Sequence, residues 1–240
     1  MSSATSKIVT DLKVDSIDST ESAAANSLAS DPQSTELQDK EVRLTQAERT
    51  EISDLRMFDA TVKLIIERGP AATSLKDVGV LAGYSRGLAS NRFGSKDRLF
   101  SFVVRRLGDH WLAQLKSAVN HEVGLVAVEK ALDQHYRFCV EAPDYVRTFY
   151  TLWFESINTS TELGEIIKGI HQRRFQDVVN WILNDARIQD SVKREADSIA
   201  AQFSASVVGI VYYWLANPKN LNETERLHEG LKATMSRLLT

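Results

Sequence analysis

Arg86, Ser90, Asn91 and Arg92 fall within one stretch of seven residues. Arginine and asparagine are the side chains that make paired hydrogen bonds to guanine and adenine edges in the major groove. Ser85 and Lys96 stand where helices are expected to start, and the backbone N–H groups of helix starts favour phosphate. From Ser85 to Arg106 six basic residues accompany one acidic residue, a local charge of +5. The chemistry implied is contact with a polyanion, combined with reading of base edges. It requires a support that turns these side chains outward.

That support is legible in the flanking residues. Ile52, Leu55, Phe58, Val62 and Ile65 recur at helical spacing, and Gly69-Pro70 stops the helix they define. Ser74 with Asp77 reads as a capping box opening a short helix, with Leu75, Val78 and Leu81 or Ala82 as its buried face. Gly83 ends it in a tight Ala82-Gly83-Tyr84-Ser85 turn. Ser85 is expected to cap a second short helix, with Leu88 and Ala89 inward and Phe93-Gly94 closing it. Small residues, Gly79 and Ala82, stand where these two helices would cross. This is helix-turn-helix spacing. Ser95 then caps a longer helix carrying Leu99, Phe102, Val103, Leu107, Trp111, Leu112 and Leu115 to about residue 118.

The rest of the chain is also helical in period. Segments are predicted at Leu125–Val140, Asp144–Asn158, Thr161–Ala186, Arg194–Ala216 and Asn222–Leu239. No strand-like alternation of useful length appears. The expectation is an all-α chain of about nine helices, with a three-helix head at residues 46–108 and a helical body at 109–240. Residues 1–45 contain no aromatic residue and no glycine and carry −4, so a disordered acidic arm is expected.

Composition excludes several classes. The net charge of −3 over 240 residues would argue against nucleic acid, but it averages a +4 head with a −4 arm and a −3 body. The single cysteine, Cys139, rules out an internal disulfide framework and a four-cysteine zinc site. No run approaches the ~18 apolar residues of a membrane span, and no signal-peptide pattern opens the chain. A cytoplasmic protein without membrane attachment is expected. The five histidines show no metal-ligand spacing, and no cofactor, metal or catalytic residue is predicted. An all-α enzyme or a helical adaptor using an aromatic pocket is the alternative reading, unsupported by any nucleophile triad or phosphate loop.

The runs Thr73-Ser74-Leu75-Lys76-Asp77-Val78, Ala82-Gly83-Tyr84-Ser85-Arg86-Gly87 and Phe93-Gly94-Ser95-Lys96-Asp97-Arg98-Leu99-Phe100 resemble the DNA-binding signature of tetracycline-repressor (TetR) family regulators. The resemblance covers residues 48–108. It implies a homodimeric regulator, by habit a repressor, that binds operator DNA with its head and a small molecule with its body. It places Ser74 and Lys76 near the DNA backbone and Ser85, Arg86, Gly87, Leu88, Ser90 and Asn91 on the recognition helix. Lys96 would meet phosphate. The family usually has tyrosine at Ser90 and histidine at Arg92, where arginine would supply a full charge to a phosphate contact. Gly79 often corresponds to alanine. Ligand-pocket candidates are Trp111, His135, Phe138, Phe149, Tyr150, Trp153, Phe154, His171 and Phe175. The last two helices would form the dimer interface through Phe203, Val207, Ile210, Val211, Trp214, Leu227, Leu231 and Met235. Ala201, Ser204, Ala205, Val208 and Gly209 are small enough to let helices approach closely.

Overall fold

Apolar residues at three- and four-residue spacing need partners on one side only, and a computed structural model shows how they find them. It describes residues 45–157 and 161–240. Of the expected acidic arm only Thr45 falls among these. The described residues form ten helices and no strand. These are α1 (Gln46–Arg68), α2 (Leu75–Leu81), α3 (Leu88–Phe93), α4 (Lys96–Val119), α5 (Gly124–Glu141), α6 (Pro143–Ser156), α7 (Glu162–Asn184), α8 (Asp190–Lys193), α9 (Ala196–Ala216) and α10 (Leu221–Leu239).

The helix ends follow from local chemistry. Thr45 and Glu48 form a capping box that opens α1. Gly69, at φ +80°, ends it. Ser74 accepts the Asp77 N–H at α2, Ser95 the Arg98 N–H at α4, and Thr161 the Gly164 N–H at α7. Pro143 occupies the first turn of α6, where its missing N–H costs nothing. The helix beyond expectation is α8, a single turn: Ile188 just ahead of it enters the core, and its own Val192 packs against that core. Four residues are too few to show a period, so pattern reading passes over it.

Arg56–Thr240 is one compact unit. Within it α2 packs on α3, and Phe93 of α3 meets Phe102 of α4 at 5.2 Å between ring centres. Phe58 of α1 is fully buried and touches Tyr145 of α6 edge-on at 5.7 Å. α4 runs unbroken through position 108, so the expected head–body boundary falls inside a helix. Its second half packs on α5, α6 and α7. The main core joins Val128 and Leu132 of α5, Val178 and Ile182 of α7, Phe203, Val207 and Ile210 of α9, and Leu231, Met235 and Leu239 of α10.

Among the described residues α9 is the helix long and apolar enough to cross a membrane by length and composition, with mean hydropathy 1.5. Its apolar character runs around the helix, yet only one face is buried, against α7 and α10.

One glycine pins the body. Gly124 opens α5 at φ +61°, and a Cβ there would lie 1.9 Å from Asp185 Oδ2. Asp185 is buried at the end of α7. Its carboxylate accepts the Arg187 backbone N–H and Nε at 2.9 Å and Nη2 at 2.8 Å, and Arg187 holds its pKa below the ordinary carboxylate range. Gly124→Ala should therefore destabilise the protein by roughly 2 kcal/mol or more, from the left-handed backbone and the clash together. An unchanged melting temperature would refute this.

Candidate nucleic-acid interface and internal cavities

The head is held by a backbone contact. A Cβ on Gly79 would lie 2.9 Å from the Ser85 carbonyl oxygen and 3.7 Å from the Ala89 Cβ. The turn between α2 and α3 thus presses directly on α2, and glycine at position 79 permits the approach. An alanine there would gain helix propensity but push the turn away. Gly83, at φ +82°, supplies the turn.

The sequence expectation for Ser85 needs correction. It does not cap α3. The helix begins at Leu88 with Gly87 as its N-cap residue, and Leu88 N–H bonds to the Ser85 carbonyl at 3.1 Å. Ser85 and Arg86 stand in the turn ahead of the helix, because Gly87 still has to complete that turn. Ser74, Lys76, Ser85, Arg86, Gly87, Ser90, Asn91 and Arg92 are all exposed, and Leu88 is half-buried. Val78, Ala89 and Phe93 face inward. Lys96 is not a free cation: its Nζ donates to the Ala71 carbonyl at 2.9 Å and lies 5.6 Å from the Phe100 ring centre. It ties the start of α4 to the loop ahead of α2, which fixes the ammonium on the head surface.

Two small cavities lie in the body. The outer one, about 30 Å³, is walled by Leu107, Trp111, Phe138, Tyr145, Phe149, Tyr150 and Ile170. The inner one, about 20 Å³, is walled by Leu115, Leu132, His135, Asp177, Trp181 and Phe203 among others. Trp111 and Arg174 line both. Each has room for about one or two waters. Of the predicted pocket residues, Trp111, His135, Phe138, Phe149 and Tyr150 do line these cavities. Trp153 is buried, stacked on Tyr150 at 5.2 Å, and its far side meets His171 at 4.0 Å. His171 and Phe175 instead line a shallow surface groove. Phe154 lines none of these cavities and sits 6.4 Å from Tyr150.

Sequence reading missed Arg174. It sits four residues after Ile170 and four before Val178, so a cation interrupts an apolar stripe, and that was the available signal. Its guanidinium lies 5.6 Å from the Trp111 ring centre and donates to Tyr150 Oη at 3.3 Å. His228 was missed as a partner. Its Nε2 meets His135 Nδ1 at 2.8 Å, and its Nδ1 meets the Thr224 carbonyl at 2.7 Å. Cys139 is buried and its thiol is pushed up to about 12 by desolvation, which leaves it without thiolate at neutral pH.

The predicted interface stripe also needs correction. Phe203, Val207, Ile210, Val211, Trp214, Leu231 and Met235 are buried within the protomer's own core, and Leu227 packs against it. The stripe left outward on α9 is the small one: Ala201 and Ala205 are exposed, with Ser204, Val208 and Gly209 half-buried. Tyr212 and Tyr213 continue it at 66% and 64% exposure. The larger stripe turns inward because a protomer fills its own core with its bulkiest side chains first.

His135 and His228 are both held below the ordinary histidine value, chiefly by burial. The unfolded chain then takes up protons first, so their contribution to stability is full above about pH 6.5 and is lost as pH falls below it. The melting temperature should drop between pH 7.5 and pH 5, and drop less in the double variant His135→Leu/His228→Leu. Equal slopes in the two proteins would refute this.

Comparison with known proteins bears on both halves. Residues 58–102 match the family described as bacterial regulatory proteins, tetR family. Over 86 residues the chain is 35% identical to the HTH-type transcriptional repressor Rv3405c of Mycobacterium tuberculosis, which is 36% of this chain and 44% of that protein. The chain therefore spans somewhat under half the length of this curated relative. A transcriptional regulator from Rhodococcus sp. Rha1 superposes with a TM-score of 0.68 at 22% identity, covering 78% of this chain and 96% of that one. A structure from Saccharomonospora viridis, solved in complex with choline, gives 0.63 at 16% identity, covering 77% and 95%. With the signature residues in the head and this fold around them, residues 58–102 form a domain of the tetR family of bacterial regulatory proteins.

Proposed function

We propose that the chain is a ligand-responsive transcriptional regulator, a repressor, that binds a near-palindromic operator as a homodimer and lets go when a small molecule enters the body. It acts in the cytoplasm, with residues 46–108 as the DNA-binding part and 109–240 as the effector-binding and dimerising part. The observation that carries the reading is the outward set of Arg86, Ser90, Asn91 and Arg92 beside a turn locked by Gly79. Arg86 and Asn91 read bases. Ser74, Lys76, Ser85, Arg92 and Lys96 hold the DNA backbone, with Gly87 and Leu88 giving the close approach.

Lys96 tests the assignment. Its contact is with phosphate, so Lys96→Ala should weaken a selected operator and a scrambled duplex alike. The slope of log affinity against log salt should fall by about 0.9 for each lost contact. Loss confined to the selected operator would overturn this role.

The outward small stripe of α9 supports the dimer. Ala201, Ala205 and Val208 let a second copy approach closely, and a twofold arrangement sets two recognition elements roughly 34–36 Å apart, one DNA turn. Val208→Glu should convert the protein to a monomer in light scattering at micromolar concentration and abolish operator binding. A dimer that survives this substitution would place the interface elsewhere.

α4 supports the coupling, since one helix carries both Lys96 and Trp111. The cavities have room for only one or two waters each, so an effector enters by displacing Arg174 from the Trp111 ring and thereby shifts α4. Operator DNA must then weaken effector binding by the same factor. In the outer cavity Arg174 is the charged wall residue and disfavours a cationic guest such as the choline of the Saccharomonospora viridis protein, whereas in the inner cavity Asp177 stands beside it.

A further inference from the structure

The hydrogen bonds behind the inner cavity have a direction. The Thr224 carbonyl only accepts, so His228 Nδ1 donates to it. Burial keeps the His228 ring neutral, which leaves its Nε2 as a bare acceptor. His135 Nδ1 therefore donates to that nitrogen at 2.8 Å. His135 is itself buried at 2% exposure, so its second nitrogen, Nε2, carries a lone pair and no proton. It has no hydrogen-bond partner among the described residues. His135 lines the inner cavity, and with Nδ1 committed to His228, Nε2 is the nitrogen left for a ligand.

Trp111 supplies the complement. Its ring stands edge-on to His135 at 5.3 Å between centres, and its Nε1–H is also buried without a partner among the described residues. A lone acceptor and a lone donor thus belong to adjacent rings in one wall. A hydroxyl group offers the complement of both, a proton for His135 Nε2 and a lone pair for Trp111 Nε1. Apart from Arg174 and Asp177, one charge of each sign, the surrounding wall is apolar and largely aromatic. That composition favours a neutral guest. The cavities have room for one or two waters, so a guest the size of a single ring needs Arg174 to move aside.

We infer that His135 and Trp111 form a hydroxyl-reading pair that selects a neutral aromatic alcohol of single-ring size as effector. The inference rests on the body being the effector site and names the chemistry of that site. A carboxylate or an ether brings only lone pairs to His135 Nε2 and is rejected, because the buried acceptor is left unpaired.

The test uses the full chain, with phenol and its methyl ether anisole as probes and tryptophan fluorescence as the readout. Phenol should bind about tenfold tighter than anisole, or more. His135→Leu should erase that preference, and His135→Leu/His228→Leu, which removes both ends of the relay, guards against a misfolded single variant. Nitrogen-15 spectra of the histidines should show His135 as the Nδ1–H tautomer, with its Nε2 resonance moving on addition of phenol. Equal binding of the two probes, no binding of phenol, a preference that survives in a folded variant, or an Nε2–H tautomer would each overturn the inference. Operator binding is measured separately. Its absence would sink the regulator reading while leaving the phenol comparison intact.

Discussion

One uninterrupted helix belongs to both halves of this protein. α4 is capped at Ser95 and carries 24 residues without a glycine-induced or proline-induced break. Its first turns bury Leu99, Phe100, Val103 and Val104, and its last bury Leu115 and Val119. The helix therefore cannot move at one end alone. On the proposed coupling, a rearrangement of the walls around Trp111 is handed along this helix to the surface where Lys96 and the turn before α3 sit. Other elements have local consequences, whereas a change in α4 reaches both halves.

Close backbone approaches do the complementary work of keeping each half stiff. Gly79 lets the Ser85 carbonyl press on α2, and Gly124 lets the Asp185 carboxylate lie against the start of α5. Neither contact gains much energy by itself. Each removes freedom: the first sets where Arg86 emerges, and the second fixes where α5 begins and thus the register in which His135 faces α10. A packed interior is not continuously deformable, so such fixed points favour discrete arrangements over gradual drift.

The fold was largely legible in the residues. Capping residues at Ser74 and Ser95, the stop at Gly69-Pro70 and the apolar periods gave nine of the ten helices, because those signals are local. What was not legible depends on long-range geometry. Periodicity marks an apolar stripe but not which side of the molecule it meets, so Phe203, Val207 and Trp214 read as an interface although they fill the protomer's own core. The small residues beside them held the better clue to an outward face. Arg174 was hidden because α7 was read for its apolar positions, and His228 because its partner lies 93 residues away. Ser85 read as a cap because its residue type is right, although the turn needs two more residues before the helix starts.

The bond from His228 to the Thr224 carbonyl sits at the first turns of α10 and is walled off from either cavity. Yet that carbonyl, through one imidazole, decides which nitrogen of the next imidazole carries a proton. On the proposed reading, recognition in the body is partly written at a distance, in the polarity of a short chain of rings rather than in the shape of the wall. A lineage could change what the protein senses by altering position 228 alone, with every wall residue kept. A comparison of related chains confined to the cavity lining would then miss the change altogether.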